Sequence, residues 1–93
     1  METIFKDGLE FSAGTMELHG IKIMLIKGEN GALGCGYINL AAAEKFGHAL
    51  AIVSGVASYE EMFAAEVKAV SSAAGKSGVK IGMNGLEALK IMN

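Results

Sequence analysis

The alternation of apolar and polar residues in the first third of the chain predicts β-strands. An apolar pair before Asp7-Gly8 indicates a short strand and a turn, because Asp-Gly is a strong hairpin signal. Residues 9–13 then alternate strictly, as expected for a strand with one side toward a core. Met16 and Leu18 take the opposite phase after Gly14, which predicts a β-bulge that shifts the register.

Two later segments are apolar on both faces. Residues 21–26 form a nearly continuous apolar run, and Asn30-Gly31, a pair typical of type I′ turns, leads to a return strand over Ala32–Ile38. Ala49–Val53 has the same two-faced character. Such strands must be covered on both sides. The pattern therefore predicts helices on one face of the sheet and another layer on the other, for which a partner subunit is one candidate.

Polar residues placed before apolar stripes indicate where helices begin. Asn39 can accept hydrogen bonds from the first amides of a helix over Leu40–Phe46, which Gly47 would end in a left-handed conformation. Ser58 and Asn84 are each followed three residues later by a glutamate, the capping-box pattern, and so begin two further helices.

The apolar pattern allows two extents for the middle helix. Its apolar stripe starts at Tyr59 and keeps three- and four-residue spacing to Ala74, so the helix runs to about Ala74 or kinks near Ala64 and Ala65. Beyond it, Val79–Ile81 predicts a short strand.

Taken together, these elements predict an α+β fold. We expect a mostly antiparallel sheet of about five strands in the first half and centre of the chain, packed with three helices in two layers. The chain has no proline and no low-complexity tract, and nothing resembles a linker. Residues 1–93 are therefore predicted to form a single domain.

Composition adds an expectation about assembly. Glycine and the apolar residues together make up about 63% of the chain, against about 45 to 50% in average domains. A domain this small buries only about two-thirds of its unfolded surface. Because so short a chain cannot hide that much apolar surface alone, we expect a homo-oligomer.

Charge and cysteine content exclude several function classes. The net charge is −2 and no basic cluster is present, so we expect no nucleic-acid partner. No apolar run approaches the ~20 residues of a membrane span, and the chain does not begin with a basic signal-like region, so we expect a cytoplasmic protein. One cysteine and two histidines allow neither an internal disulfide nor a structural zinc site. We predict no metal and no cofactor.

Cys35 is the best nucleophile in the sequence. It lies between Gly34 and Gly36, shortly before a predicted helix start, where the helix dipole lowers a thiol pKa. His48 is a candidate base, since a nucleophile and its base need only be neighbours in space. The alternative is that Cys35 is a small core residue flanked by glycines because the backbone packs closely there.

Several stretches resemble one family of small prokaryotic proteins: Gly34–Asn39, Ala43–Gly47, Ala51–Val56, Glu60–Met62 and Gly82–Leu89. The chain is similar, from about residue 9 onward, to the YunC-like domains of unknown function. The resemblance implies a compact cytoplasmic α+β domain and transfers no activity. It also implies that the segments around Cys35 and Gly55 are the first to test.

Two hypotheses follow from the sequence. The first is a non-enzymatic domain that associates with itself and binds an unidentified small molecule or protein at the turn from Cys35 to Asn39, with Gly34, Gly36 and Asn39 as candidate binding residues. The second is a thiol-dependent enzyme, a hydrolase or transferase, with Cys35 as nucleophile and His48 as base.

Overall fold

The computed structural model describes residues 1–93 and has an α+β fold built on a six-stranded mixed sheet. The strands lie in the sheet in the same order as in the chain. Every neighbouring pair is antiparallel except β4 and β5, which are parallel. The strands are β1 (Glu2–Lys6), β2 (Leu9–Leu18), β3 (Ile21–Lys27), β4 (Ala32–Gly34), β5 (Leu50–Ile52) and β6 (Ala69–Val70).

Four short helices complete the fold: α1 (Leu40–Phe46), α2 (Tyr59–Ala64), α3 (Ser72–Ser77) and α4 (Gly85–Ile91). The three predicted caps are confirmed, because the side chains of Asn39, Ser58 and Asn84 each accept a hydrogen bond from an amide in the first turn. Gly47 ends α1 in the left-handed conformation, as expected. None of the four helices has the length and apolar content that crossing a membrane requires.

The main core lies between one face of the sheet and helices α2, α3 and α4. Phe11, Ile26 and Leu33 point from the sheet into this core and meet side chains such as Met62 and Leu89. All five are almost completely buried. The pairing Ile26 opposite Leu33 places both side chains on the same face.

A second, smaller cluster covers part of the opposite face. Leu50 and Ile52 of β5 point away from the main core, because alternate residues of a strand face opposite sides, and pack against Ala43 of α1. Helix α1 is thus a third layer over β4 and β5. The prediction of two layers is wrong at this end of the sheet, where the sheet is covered on both faces.

The helix and strand counts also differ from the prediction, for reasons that lie in tertiary contacts. Helix α2 ends at Ala64, and the chain then pairs with other elements: Val67 donates its N–H to Met83 (2.8 Å), and Ser71 donates to Leu50 (2.8 Å). These bonds replace helical ones, so the predicted helix to Ala74 becomes α2, β6 and α3.

Two predicted strands are shorter or absent. The return strand over Ala32–Ile38 ends at Gly34, since Ile38 donates its N–H to Cys35 (3.0 Å) and closes a turn. Residues 79–81 form no strand. Val79 is apolar because it is buried in the main core, and its N–H bonds to Ala74 (3.0 Å) at the end of α3.

The predicted bulge at Gly14 is also wrong. The pairing of β2 with β3 is continuous from Ser12 to Leu18. Because the strand is regular, Met16 and Leu18 lie on the other face of the sheet from Phe11. The change in the apolar alternation after Gly14 thus places apolar side chains on both faces of one strand.

These side chains form a surface that no helix of the chain covers. The exposed residues Met16, Leu18 and Ile21 are joined by Met1, whose side chain lies over Gly14, and by partly buried neighbours. We call this surface the open sheet face and define it as Met1, Met16, Leu18, Ile21 and Ile23. Leu25, at its edge, packs against the smaller cluster under α1.

Candidate functional site

The parallel pair β4 and β5 brings two loops to the same edge of the sheet. Gly34 is aligned with Ile52, so the residues that follow each strand emerge side by side. In sheets with parallel strands, ligands bind outside the carboxyl ends of the strands. The loop after β4 contains Cys35, and the loop after β5 contains Gly55.

An open cleft of about 530 Å³ lies at this edge. Three segments line it: Gly20–Lys22 from the start of β3, Cys35–Tyr37 after β4, and Gly55–Ala57 after β5. Lys22 links two of these segments, because its Nζ donates to the carbonyl oxygen of Ala57 (3.3 Å). A single chain supplies the whole lining.

Cys35 lies in the wall of this cleft and is held by the neighbouring strand. Its side chain is only 5% exposed. The residue donates its N–H to the carbonyl of Met24 (3.1 Å), and its Sγ accepts the N–H of Met24 (3.3 Å). The sulfur thus takes part in the connection between β3 and the turn after β4, an arrangement typical of a structural cysteine.

The three candidate binding residues of this turn have different roles in the structure. Gly36 lines the cleft. Gly34 does not: a Cβ there would lie 2.8 Å from Ile38 Cγ1, so close packing explains this glycine. Asn39 caps α1 by accepting the N–H of Ala41 (2.9 Å) and does not line the cleft.

His48 lies at the other end of the parallel pair. It lies two residues before the start of β5, whereas Cys35 directly follows β4, and Ala32 is aligned with Leu50. About five residues of strand length, or about 16 Å, therefore separate the two side chains along the sheet. The imidazole is exposed and packs against the ring of Phe46, with 6.2 Å between ring centroids. The structure does not bring Cys35 and His48 together.

Sequence reasoning missed the part of the cleft that comes from β3, whereas Tyr37 lies within the predicted turn from Cys35 to Asn39. Lys22 interrupts an apolar run and is indistinguishable in the sequence from an ordinary exposed lysine. The only local signal is His19-Gly20, where both residues have positive φ (51° and 82°) and turn the chain back toward the cleft.

The groups with shifted pKa values lie outside the cleft. The pKa of Glu44 is lowered because Ser72 donates two hydrogen bonds to its carboxylate. The larger effect comes from the backbone N–H (2.6 Å) and the smaller from the hydroxyl (2.8 Å). The hydrogen bond from Lys6 to Glu60 (2.8 Å) raises the pKa of Lys6. Both interactions join surface elements, so they concern the fold and not the cleft.

Comparison with known proteins identifies a family that this chain matches. The model of the family described as a domain of unknown function, DUF1805, matches residues 34–92. The chain is 30% identical over 90 residues to the uncharacterized protein YunC of Bacillus subtilis, covering 92% of this chain and 89% of YunC.

A solved structure has the same fold. The crystal structure of TA1206, a protein of unknown function from Thermoplasma acidophilum, superposes with a TM-score of 0.91 at 26% identity, covering 99% of this chain and 90% of TA1206. The match confirms the α+β architecture. The segments around Cys35 and Gly55 lie within the residues that the family model matches. The chain belongs to the DUF1805 family of YunC-like domains.

Proposed function

We propose that the protein is a single-domain, non-enzymatic cytoplasmic module that associates with a second copy of itself through the open sheet face. The observation that carries this proposal is the exposure of large apolar side chains on a sheet face that the chain itself leaves uncovered. Four of them, Met1, Met16, Leu18 and Ile21, are 43–74% exposed. Its single unpaired thiol, Cys35, supports the cytoplasmic location.

The size of this surface fits an interface. At about 200 Å² for a fully exposed residue of this size, the four most exposed residues present about 450 Å² of surface, most of it apolar. This is at the level of the largest apolar patch on a typical monomer, which is often functional. A standard interface takes about 800 Å² from each partner, so the apolar centre would occupy over half of one.

The adjoining strand edge favours a second copy over another kind of partner. Strand β1 pairs with β2 only as far as Ala13, and Met1 lies over Gly14, so residues 15–18 of β2 have no strand neighbour on that side. Two identical strand edges can pair antiparallel about a two-fold axis, which is the symmetry of most homodimers. Such a pairing would join the two sheets beside the open sheet face.

The geometry favours this module over the thiol-dependent enzyme. Cys35 is buried and bonded to Met24, and about 16 Å of strand separates it from His48. A nucleophile and its base need hydrogen-bond reach. The lining of the cleft contains no histidine and no carboxylate that could take the role predicted for His48.

Sedimentation velocity at tens of micromolar tests the proposal. The wild type should sediment as a dimer or a larger assembly, and Met16→Asp should shift it to the monomer. Ile81→Asp is the matched control, because Ile81 is equally exposed (64% against 66%) but lies outside the open sheet face. Circular dichroism should show that both variants fold.

A wild-type monomer at this concentration would overturn the proposal. Equal dissociation by Ile81→Asp would also contradict it, since the loss would then not be specific to the open sheet face.

A further inference from the structure

The cleft beside Cys35 has one charged side chain in an otherwise neutral lining. Lys22 is the only side chain in its lining that is charged at neutral pH, and no aspartate or glutamate is present. The Lys22 ammonium makes no ion pair, and its one hydrogen bond is to the neutral carbonyl of Ala57. The lining therefore carries one positive charge that forms no ion pair, although Glu17 lies opposite Lys22 on the neighbouring strand β2.

Unpaired backbone donors accompany this charge. The N–H groups of Gly36, Tyr37, Gly55 and Val56 donate to no atom of the chain, although Cys35 and Ala57 on either side are bonded. Tyr37 is also exposed (57%), so its hydroxyl is accessible to a ligand. Successive free N–H groups beside a cation are a common way to bind a carboxylate.

The remaining lining is apolar. Ile21, Val56 and Ala57 contribute aliphatic surface, and Tyr37 contributes an aromatic ring. Most small-molecule sites combine such a lining with a few polar groups that fix orientation.

Gly36 leaves space in this lining that packing does not need. A Cβ at Gly36 would meet only Ser54 Cβ, at an ordinary contact distance of 3.6 Å. Its φ is not in the positive range, so backbone conformation does not call for glycine either. Gly34, two residues earlier, is by contrast fully explained by Ile38.

We infer that this cleft binds a small carboxylic acid with an apolar body, its carboxylate held by Lys22 and the free amides, its body between Tyr37 and Val56. This site goes beyond the proposed self-association and does not depend on it, because one chain supplies all three lining segments. Ile21 belongs both to the cleft and to the open sheet face, so the test leaves it unchanged.

Benzoate is a suitable probe, with benzamide as its neutral analogue, acetate as the anion without an apolar body, and inorganic phosphate as the anion of another class. Each is titrated into ¹⁵N-labelled protein and followed by amide chemical shifts. Benzoate should shift the amides of residues 20–22, 35–37 and 55–57 in a saturable way, and the other three probes should bind at least about tenfold more weakly.

Two variants and a control assign the effect to the site. Lys22→Met should weaken benzoate binding about tenfold, as expected for the loss of a charge-assisted hydrogen bond. Gly36→Leu should block binding by filling the cleft. Lys80→Met removes an exposed lysine elsewhere and should leave binding unchanged. The amide spectrum itself reports whether each variant folds.

Three results would overturn the inference: no saturable shifts at the cleft with benzoate, equal binding of benzamide or phosphate, or equal weakening by Lys80→Met. A monomeric wild type that still binds benzoate would refute the self-association and leave this site standing.

Discussion

The buried hydroxyl of Ser71 offers a sharp test of what holds β5 to α3. Its Oγ accepts the N–H of Leu50 (2.9 Å) and the N–H of Ala74 (3.3 Å), and it donates to the carbonyl of His48 (2.7 Å). Ser71 is completely buried, so water cannot replace these partners. One side chain thus satisfies groups from the strand, from the residue before it and from the first turn of the helix.

Replacing Ser71 by alanine should cost about 2–3 kcal/mol. Leaving a buried donor such as the Leu50 N–H unsatisfied costs about 1–3 kcal/mol. Loss of a helix N-cap costs about 1 kcal/mol, and the two effects share one hydroxyl and do not add fully. Since each kcal/mol corresponds to about 4–8 °C in a domain of this size, Tm should fall by about 10–20 °C.

Urea unfolding followed by circular dichroism measures this loss. All variants are compared at one protein concentration, because self-association would make the midpoint depend on concentration. Ser77→Ala is the matched control: its exposed hydroxyl bonds to Ala73 (3.1 Å) in the same helix, and its loss should cost less than about 0.5 kcal/mol. If Ser71→Ala and Ser77→Ala unfold at the same urea concentration, the argument from burial is refuted.

Three further predictions concern other parts of the fold. Because hydrogen bonds from Ser72 lower the pKa of Glu44, its stabilising effect is present above its usual pKa of 4.5 and is lost as pH falls through the lowered value. The urea midpoint of the wild type should therefore exceed that of Glu44→Gln at pH 7, and the two midpoints should converge in acid. A difference that does not change with pH would contradict this. Gly85→Ala should destabilise the protein strongly, since its Cβ would overlap a backbone oxygen of α2. Gly75→Ala has nothing within 4 Å of its Cβ and should stabilise α3 by about 0.5–1 kcal/mol. Thermal unfolding should therefore show a lower Tm for the first variant and a higher Tm for the second. Alkylation of Cys35 should be slow in the folded protein and fast in urea, and rapid labelling of the folded form below pH 7 would revive the enzyme hypothesis.

Local signals in the sequence predicted three of the four helix starts correctly and missed that of α3, which Ser71 caps. A cap is a hydrogen bond between residues two or three positions apart, as at Asn39, Ser58 and Asn84, so its partners stand together in the sequence. The α+β class followed from these starts and from the alternating strands.

Errors arose where distant partners decide the structure. The apolar spacing from Tyr59 to Ala74 is helical in period, yet Val67 and Ser71 bond to Met83 and Leu50, which no local pattern reveals. Gly14 illustrates the same limit. A bulge at this residue and a strand that is apolar on both faces produce the same change in the alternation of apolar and polar residues, and only the pairing with β3 distinguishes them.

The cleft was predictable only in part. Cys35 and Gly36 stand out by their local glycine pattern, and the family resemblance pointed to the segment around Gly55. Lys22 was not predictable, because only the parallel pairing of β4 with β5 and the turn at Gly20 bring its strand beside those loops.

The match between strand order and chain order has a consequence for how the protein is made. As the polypeptide leaves the ribosome, each new strand can dock on the one just synthesised, without waiting for a distant partner. The cover over the centre of the sheet comes last, since Leu89 and Met92 complete the core and the Met92 carbonyl bonds to Asn30 (2.8 Å). A nascent chain therefore exposes part of its apolar sheet until helix α4 has emerged, so docking of α4, and not formation of the strands, completes the native core.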